Sequence, residues 1–319
     1  MKLDFAAARC WVVLCMLGVL FVSGGATCSR RQEIMPLPPP PPVLNENLGL
    51  AEVAAAVNRT SVIRELSSNT ATVDVLSMPS VPELSATLAL RRDREFRLRA
   101  SLPIVMGSGL DMGSNPEVFW FEVPEGIGKT LYFARHDEYQ RQLDRAILPV
   151  DPTWIMDSLG LVQIDPAQVL QGPVRRPDGK LEIRSAMPTP AGVFQRVCYI
   201  DAQAGHVTDQ ILYSPNRVEV ARSSARNHEF FPEQQCSLPH IVELQLSPVG
   251  GPPLHMKIEV GTYAINQILS GDPNLFVMPQ GASQSVDLSR VSPAAIGAGT
   301  PATYQASARD AMPYRGFVR

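Results

Sequence analysis

The sequence predicts a mainly β protein with two or three short helices. Three observations carry this reading. About ten segments alternate apolar and polar residues at the period of a β-strand. Short runs rich in Gly, Pro and Asp separate them as turns. One stretch, PVDPTWIMDSLGL (149–161), abandons the alternation for a helical spacing.

Taken in order, residues 1–27 read as an export signal. Lys2 and Arg9 precede the apolar run WVVLCMLGVLFV (11–22), shorter than the roughly 20 apolar residues of a membrane span. SGGATC (23–28) then leaves alternatives open. Gly24 and Ala26 suit ordinary signal peptidase. Cys28, after Gly25, Ala26 and Thr27, suits lipidation, although the leucine usual three positions before such a cysteine is missing. A retained anchor is the third reading. Two acyl chains on Cys28 would suffice for stable anchoring. Residues 28–46 contain MPLPPPPPV, a stiff extended spacer and, less compellingly, a ligand for an aromatic groove.

NLGLAEVAAAVNRT (47–60) suits a helix capped by Asn47, with Leu50, Val53, Ala54 and Val57 on one face. Strand period begins in ATVDVLSM (71–78). LSATLAL (84–90) and EFRLRASLPI (95–104) form a hairpin through the polar turn RRDR. Leu84, Ala86, Leu88 and Leu90 share its apolar face with Phe96, Leu98, Ala100 and Leu102, while Arg97 and Arg99 point away. VMGSGLDMGSN (105–115) reads as a loop. EVFWFEVP (117–124) and KTLYFARHDE (129–138) form a second hairpin around EGIG. Within it Phe119 and Phe121 face one way and Trp120 the other, so either both sides are core or one lines a cavity.

The segment 149–161 then places Asp151 as cap, Pro152 in the first turn and Gly160 as the stop. Trp154, Ile155 and Leu159 share a broad face, with the soft side chain of Met156 beside it. A helix this short cannot span a bilayer, which leaves a lid or a core element. Strands resume at 181–188, 192–201, 206–215 and 217–226, with Ala202–Gly205 as a turn. Two more, at 240–248 and 253–266, are joined by VGGP. Residues 281–319 are rich in Ser, Ala, Gly and Pro without periodicity and read as a disordered tail.

The 28 basic and 31 acidic residues leave a net charge of -3, which argues against a nucleic-acid binder. If residues 1–27 are removed and Cys28 is acylated, Cys198 and Cys236 remain. They permit one disulfide, and equally suit two small buried hydrophobes. No C-x-x-C suggests zinc. GIGKT (126–130) lacks the glycine of a phosphate loop, having Val123 in its place, and strand follows it where a helix is needed. His136, His206, His228, His240 and His255 are scattered singly and read as surface or turn residues. Ser108 has no histidine or acid at a recognisable spacing. No catalytic residue, metal or cofactor is expected from these patterns.

The order of elements resembles the bacterial lipoprotein carrier and receptor family, LolA and LolB. The pieces that carry the resemblance are LSATLALRRDREFRLRAS, VCYIDAQAGHVTDQILYS (197–214) and the closing hairpin SLPHIVELQLSPVGGPPLHMKIEVGTYAIN (237–266), with Leu238-Pro239 at its start and Asn266 at its end. The resemblance implies a domain at 47–280. Its fold would be an unclosed β-barrel, a strongly curved antiparallel sheet with helices capping the concave side. It implies a cavity for acyl chains of lipids or lipoproteins, lined by Leu88, Leu98, Trp120, Trp154, Ile155 and Leu159, with 149–161 where the family keeps lid helices. Carriers tie that lid with a strand arginine, a role that the outward alternation of Arg97 and Arg99 leaves open. Receptors carry a protruding apolar loop residue, which Leu110 would match. The expected protein is a monomer on the periplasmic side of the envelope, membrane-anchored through its N-terminus. The competing expectation is a structural or interaction module with a filled interior.

Overall fold

The computed structural model describes residues 37–44, 49–101, 108–125, 128–141, 153–247 and 253–291; for 108, 123–125 and 128 it describes the backbone alone. Residues 1–36, with the export segment and Cys28, lie outside these. So do Asn47, Asp151, Pro152 and the VGGP turn.

Helix α1 (Leu50–Val57) opens the described domain and passes into a 3-10 turn, Asn58–Val62. Its first-turn residue is preceded by Gly49, whose N–H is taken by the Glu52 carboxylate at 3.3 Å. Val53, Ala54 and Val57 are buried, as the spacing predicts. Strands follow as β1 (Glu65–Asp74), β2 (Leu84–Arg91), β3 (Glu95–Ser101), β4 (Ser108–Ser114), β5 (Val118–Glu125) and β6 (Gly128–Arg135). Helix α2 (His136–Gln140) and helix α3 (Thr153–Met156) come next, α3 running on into a π-turn, Asp157–Leu161. After the turn Pro166–Gln168 come β7 (Val169–Arg175), β8 (Leu181–Thr189), β9 (Gly192–Ile200), β10 (Val207–Tyr213), β11 (Glu219–Phe231), β12 (Cys236–Leu246), β13 (Leu254–Val260), β14 (Ala264–Ile265) and β15 (Gln284–Asp287).

All of these strands join one curved sheet in the order β15-β6-β5-β4-β3-β2-β1-β13-β12-β11-β10-β9-β8-β7, with β14 beside β1. The terminal strands of that path, β15 and β7, do not pair, so the barrel is unclosed. Neighbours are antiparallel except β15, which lies parallel to β6. The predicted hairpins have the expected register: Leu88 faces Leu98, and Phe119 faces Ala134. Asn266, at the end of the closing hairpin, accepts the N–H of Arg64 at 2.7 Å and donates to the Val62 carbonyl, pinning the helical start to the strand end.

Alternation gives the sheet an inner and an outer face. The inner face of β1–β5 and β11–β13 buries Leu66, Leu88, Leu98, Phe119, Leu238 and Ile258 against Trp154, Ile155, Met156 and Leu159. A second inner cluster packs α1, through Val53, Ala54 and Val57, on Leu181, Ile183, Cys198 and Ile200. The helices therefore cover the inner face, as expected for this fold class.

Several expectations need correction. Residues 108–114 form β4, and Leu110 is a half-buried strand residue opposite Ala100, packed against the inner core. It does not protrude from a loop. The glycines that disguised this strand are structural: a Cβ at Gly113 would overlap the Trp120 ring, and one at Gly109 would strike the Ala100 carbonyl. Residues 284–287, expected in a disordered tail, form β15, and Leu288 behind them is buried in the inner core. Cys198 and Cys236 are free buried thiols. They lie on β9 and β12, three strand spacings of about 4.8 Å apart, well beyond the roughly 7 Å reach of a disulfide. Burial pushes the Cys236 thiol up to about 11, and it raises that of Cys198 as well.

Candidate functional site: a cleft beside Trp154

The α3 segment packs on the inner face as a wedge. Ser158 Oγ donates to the Trp154 carbonyl at 2.7 Å, and Leu159 is fully enclosed. Gly160 ends the segment at φ +93, with a would-be Cβ 2.8 Å from Pro239, so both the backbone sign and the space demand glycine there. Beyond it the chain is fastened to the helical start. Asn58 Nδ2 donates to the Ile164 carbonyl, and Ile164 N–H returns a bond to Asn58 Oδ1, both at 2.8 Å. Arg92, from the β2–β3 turn, donates to the carbonyls of Ile63, Thr60 and Leu161; burial lowers its pKa.

The other side of the wedge forms one wall of a cleft of about 450 Å³. Trp154 stands on that wall. Met187 (β8), Phe194 (β9), Leu212 (β10), Pro188 and Pro190 line the cleft as well. Arg94, Gln140, Thr153, Asp165 and Gln168 ring the opening. The volume falls within the roughly 300–1,000 Å³ typical of small-molecule sites. Arg196 crosses the base of the cleft. It points inward from β9, donates to Asp157 of the wedge at 2.8 Å and to the Gln163 carbonyl at 2.7 Å, and is nearly buried. A strand arginine thus ties the helical segment to the sheet.

The expected lining divides into three groups. Trp154 borders the cleft directly. Ile155, Leu159, Leu88 and Leu98 sit in the inner core, at most 8 % exposed, and are not among the residues that line the cleft. Trp120 lies on the outer face: its register partner Gly113 is also the partner of Arg97, which alternates away from Leu98. There it stacks under Arg97, 5.0 Å from ring centre to guanidinium.

Arg97, read as pointing away from the apolar face, does so and is nevertheless buried. It pairs with Asp111 at 2.5 Å and donates to the carbonyls of Leu275 and Val277. These belong to a strap, residues 268–277, laid across the outer face. Leu275 and Phe276 of the strap pack on Ala89, and Arg99 reaches Asp272 at 3.4 Å. The sequence reading missed the strap because it contains no periodic pattern.

His136, expected at the surface, is buried at the start of α2 with Nε2 2.9 Å from the Asn115 carbonyl. His206 and His228, twenty-two positions apart, stack on one another. Among the described residues no group of three His, Cys, Asp or Glu could hold a metal ion, and no helix is long and apolar enough to cross a membrane.

No family model matches the chain, and no curated protein matches it in sequence. Solved structures similar to this one include the following three. An outer membrane lipoprotein-sorting protein domain from Vibrio parahaemolyticus matches at 8% identity and TM-score 0.45, over 69% of this chain and 94% of that one. A LolA superfamily protein from Nitrosomonas europaea matches at 9% and 0.40, over 71% and 97%. A DUF1329 family protein from Desulfovibrio piger matches at 11% and 0.43, over 69% and 92%.

Proposed function

We propose that this chain is an envelope protein that binds an acyl chain of a lipid or lipoprotein in the cleft beside Trp154, as carrier, receptor or sensor. The observation that carries the reading is the cleft itself: about 450 Å³, with Trp154, Met187, Phe194 and Leu212 in its lining beside polar residues such as Thr153, Gln163, Ser185 and Arg196. An acyl chain gains about 0.8 kcal/mol per buried CH₂ in such a place and needs no catalytic group. In this reading the Arg196–Asp157 pair fills the latch role that the arginines of β3 do not. Cys28 supplies the lipid anchor and 28–46 the spacer that holds the domain off the membrane, on the periplasmic side. The domain acts as a monomer.

The test is native mass spectrometry of the mature domain with and without a diacylated lipopeptide, read beside fluorescence of a Trp120→Phe variant. That variant leaves Trp154 as the single tryptophan after residue 27. A lipopeptide adduct and a shifted Trp154 emission are expected. A ligand-free protein whose emission does not respond would overturn the reading. It would favour the interaction module, to which the filled core around Leu88 and Leu98 lends support. Metabolic labelling with a palmitate analogue addresses the anchor separately: wild type takes label and Cys28→Ala does not, and an unlabelled wild type ends the lipoprotein reading.

A further inference from the structure

A second cluster of titratable groups lies away from the cleft, where four parts of the chain meet. The β9–β10 turn is built by Asp201, whose carboxylate accepts the N–H groups of Gln203 and Ala204. The Gln203 carbonyl accepts the N–H groups of Val43 and Leu44, so the end of the proline-rich segment is seated on this turn. Gly205 (φ +73) packs against Ala56 of α1 and Leu44, with no room for a Cβ. Directly behind it His206 stacks on His228 of β11, ring centres 3.8 Å apart and planes 26° from parallel. A small void of about 20 Å³ beside the rings is bordered by Cys236, Arg59, Val57 and Gly160, the last at the end of the α3 wedge.

Two imidazoles in face contact are compatible with two neutral rings. A proton on either places a charge where burial disfavours it, and protons on both place like charges under 4 Å apart. The surroundings offer little to receive such a charge. His206 Nδ1 and His228 Nε2 are enclosed and have no hydrogen-bond partner. The groups acting on the pair are few. Asp201 and the Val207 backbone favour a charged ring, whereas Lys180 and His240 oppose it. Cys236 and Arg59 border the void; His240 is itself held by Glu229 at 2.8 Å.

We propose that the His206–His228 stack is an acid-operated clasp, which under mildly acidic conditions lets go of α1, the Val43–Leu44 seat and the tail end of the α3 wedge. Burial lowers both rings, His228 to about 3. Because the folded ring holds its proton less tightly than an open one, its stabilising contribution is full above about pH 6.5. It falls away as the pH drops toward about 3. His228 alone then gives on the order of 25-fold more opening at about pH 5 than at about pH 7. The sign is opposite to that of a histidine gaining an acidic partner.

The clasp is testable without any ligand, so its outcome is independent of the acyl-binding reading. Hydrogen exchange, corrected for intrinsic rates, is followed in residues 43–57 and 200–207 at about pH 7 and about pH 5. The wild type should lose protection there at the lower pH by tenfold or more, while the β1–β2 core keeps it. His206→Phe and His228→Phe retain a ring in the stack without a titrating group, and each should diminish the loss. Should either variant fail to fold, histidine NMR titration of the wild type decides the matter: both rings must titrate clearly below the ordinary imidazole range. Rings that titrate near 6.5, or protection unchanged by acid, would overturn the clasp.

Discussion

Arg97 on β3 and Arg196 on β9 occupy matching situations at opposite ends of the sheet. Each sits mid-strand, is nearly buried and pairs with an aspartate while donating to backbone carbonyls. They differ in the face they serve. Arg97 alternates outward and holds the strap 268–277; Arg196 alternates inward and holds the helical wedge beside the cleft. The strap face is closed by packing: Trp120 fills the space over Gly113, and Leu275 and Phe276 seal the edge. The wedge face keeps an opening next to its arginine. The same residue type in the same kind of strand thus becomes a structural rivet in one place and a tie beside an open cleft in the other, according to what lies across from it.

Four substitutions would break or sharpen this contrast. The largest effect is expected for Arg97→Ala, which leaves the nearly buried Asp111 to the longer contact of Arg99 at 3.7 Å and frees the strap. Urea denaturation should show a loss of about 3–5 kcal/mol, and limited proteolysis should begin within 268–277. Arg196→Ala should cost less, about 2–3 kcal/mol, since Asp157 stays a quarter exposed and retains water as a partner. Its distinguishing result is a change in lipopeptide affinity that Arg97→Ala lacks; equal effects of the two would erase the distinction between rivet and latch. Gly113→Ala forces a methyl group into the Trp120 ring and should cost about 1–3 kcal/mol, visible as a lowered midpoint with an altered Trp120 near-ultraviolet dichroism signal. The smallest is Leu110→Ala, about 1 kcal/mol for a half-buried strand residue. Unchanged stability there would instead fit the protruding loop residue that the register of β4 argues against.

The clasp at His206 and His228 adds a third kind of corner to the comparison. There backbone hydrogen bonds from Val43 and Leu44 and the contact of two imidazole rings hold the elements, and the ring contact is the part that weakens when charge arrives. The clasp should change between about pH 5 and about pH 8, whereas the guanidinium of each arginine tie stays charged across that window.

The hairpins of β2–β3 and β5–β6, the turn at Ala202–Gly205, the apolar stripe of α1 and the glycine stop at Gly160 were all legible in the sequence. Each is encoded locally, by a period of two or 3.6 or by a turn residue whose backbone geometry few others adopt. β4, β7 and β15 were not. Their Gly, Ser and Pro residues have poor strand propensity, and these strands exist because a neighbour supplies the hydrogen bonds and packing. Alternation placed Arg97 on one face and Leu88 and Leu98 on the other, but it could not say that Trp120, expected to line a cavity with Leu88 and Leu98, lies on the Arg97 face, or which face was filled. That depended on segments distant in the chain: the strap laid over Arg97, the wedge that packs on the inner core beside a cleft, and the meeting of His206, just before β10, with His228 of β11. Local chemistry fixes direction and period along a strand, while cavity, ion pair and ring stack are made by distant segments, whose approach is set by the summed burial of the whole sheet.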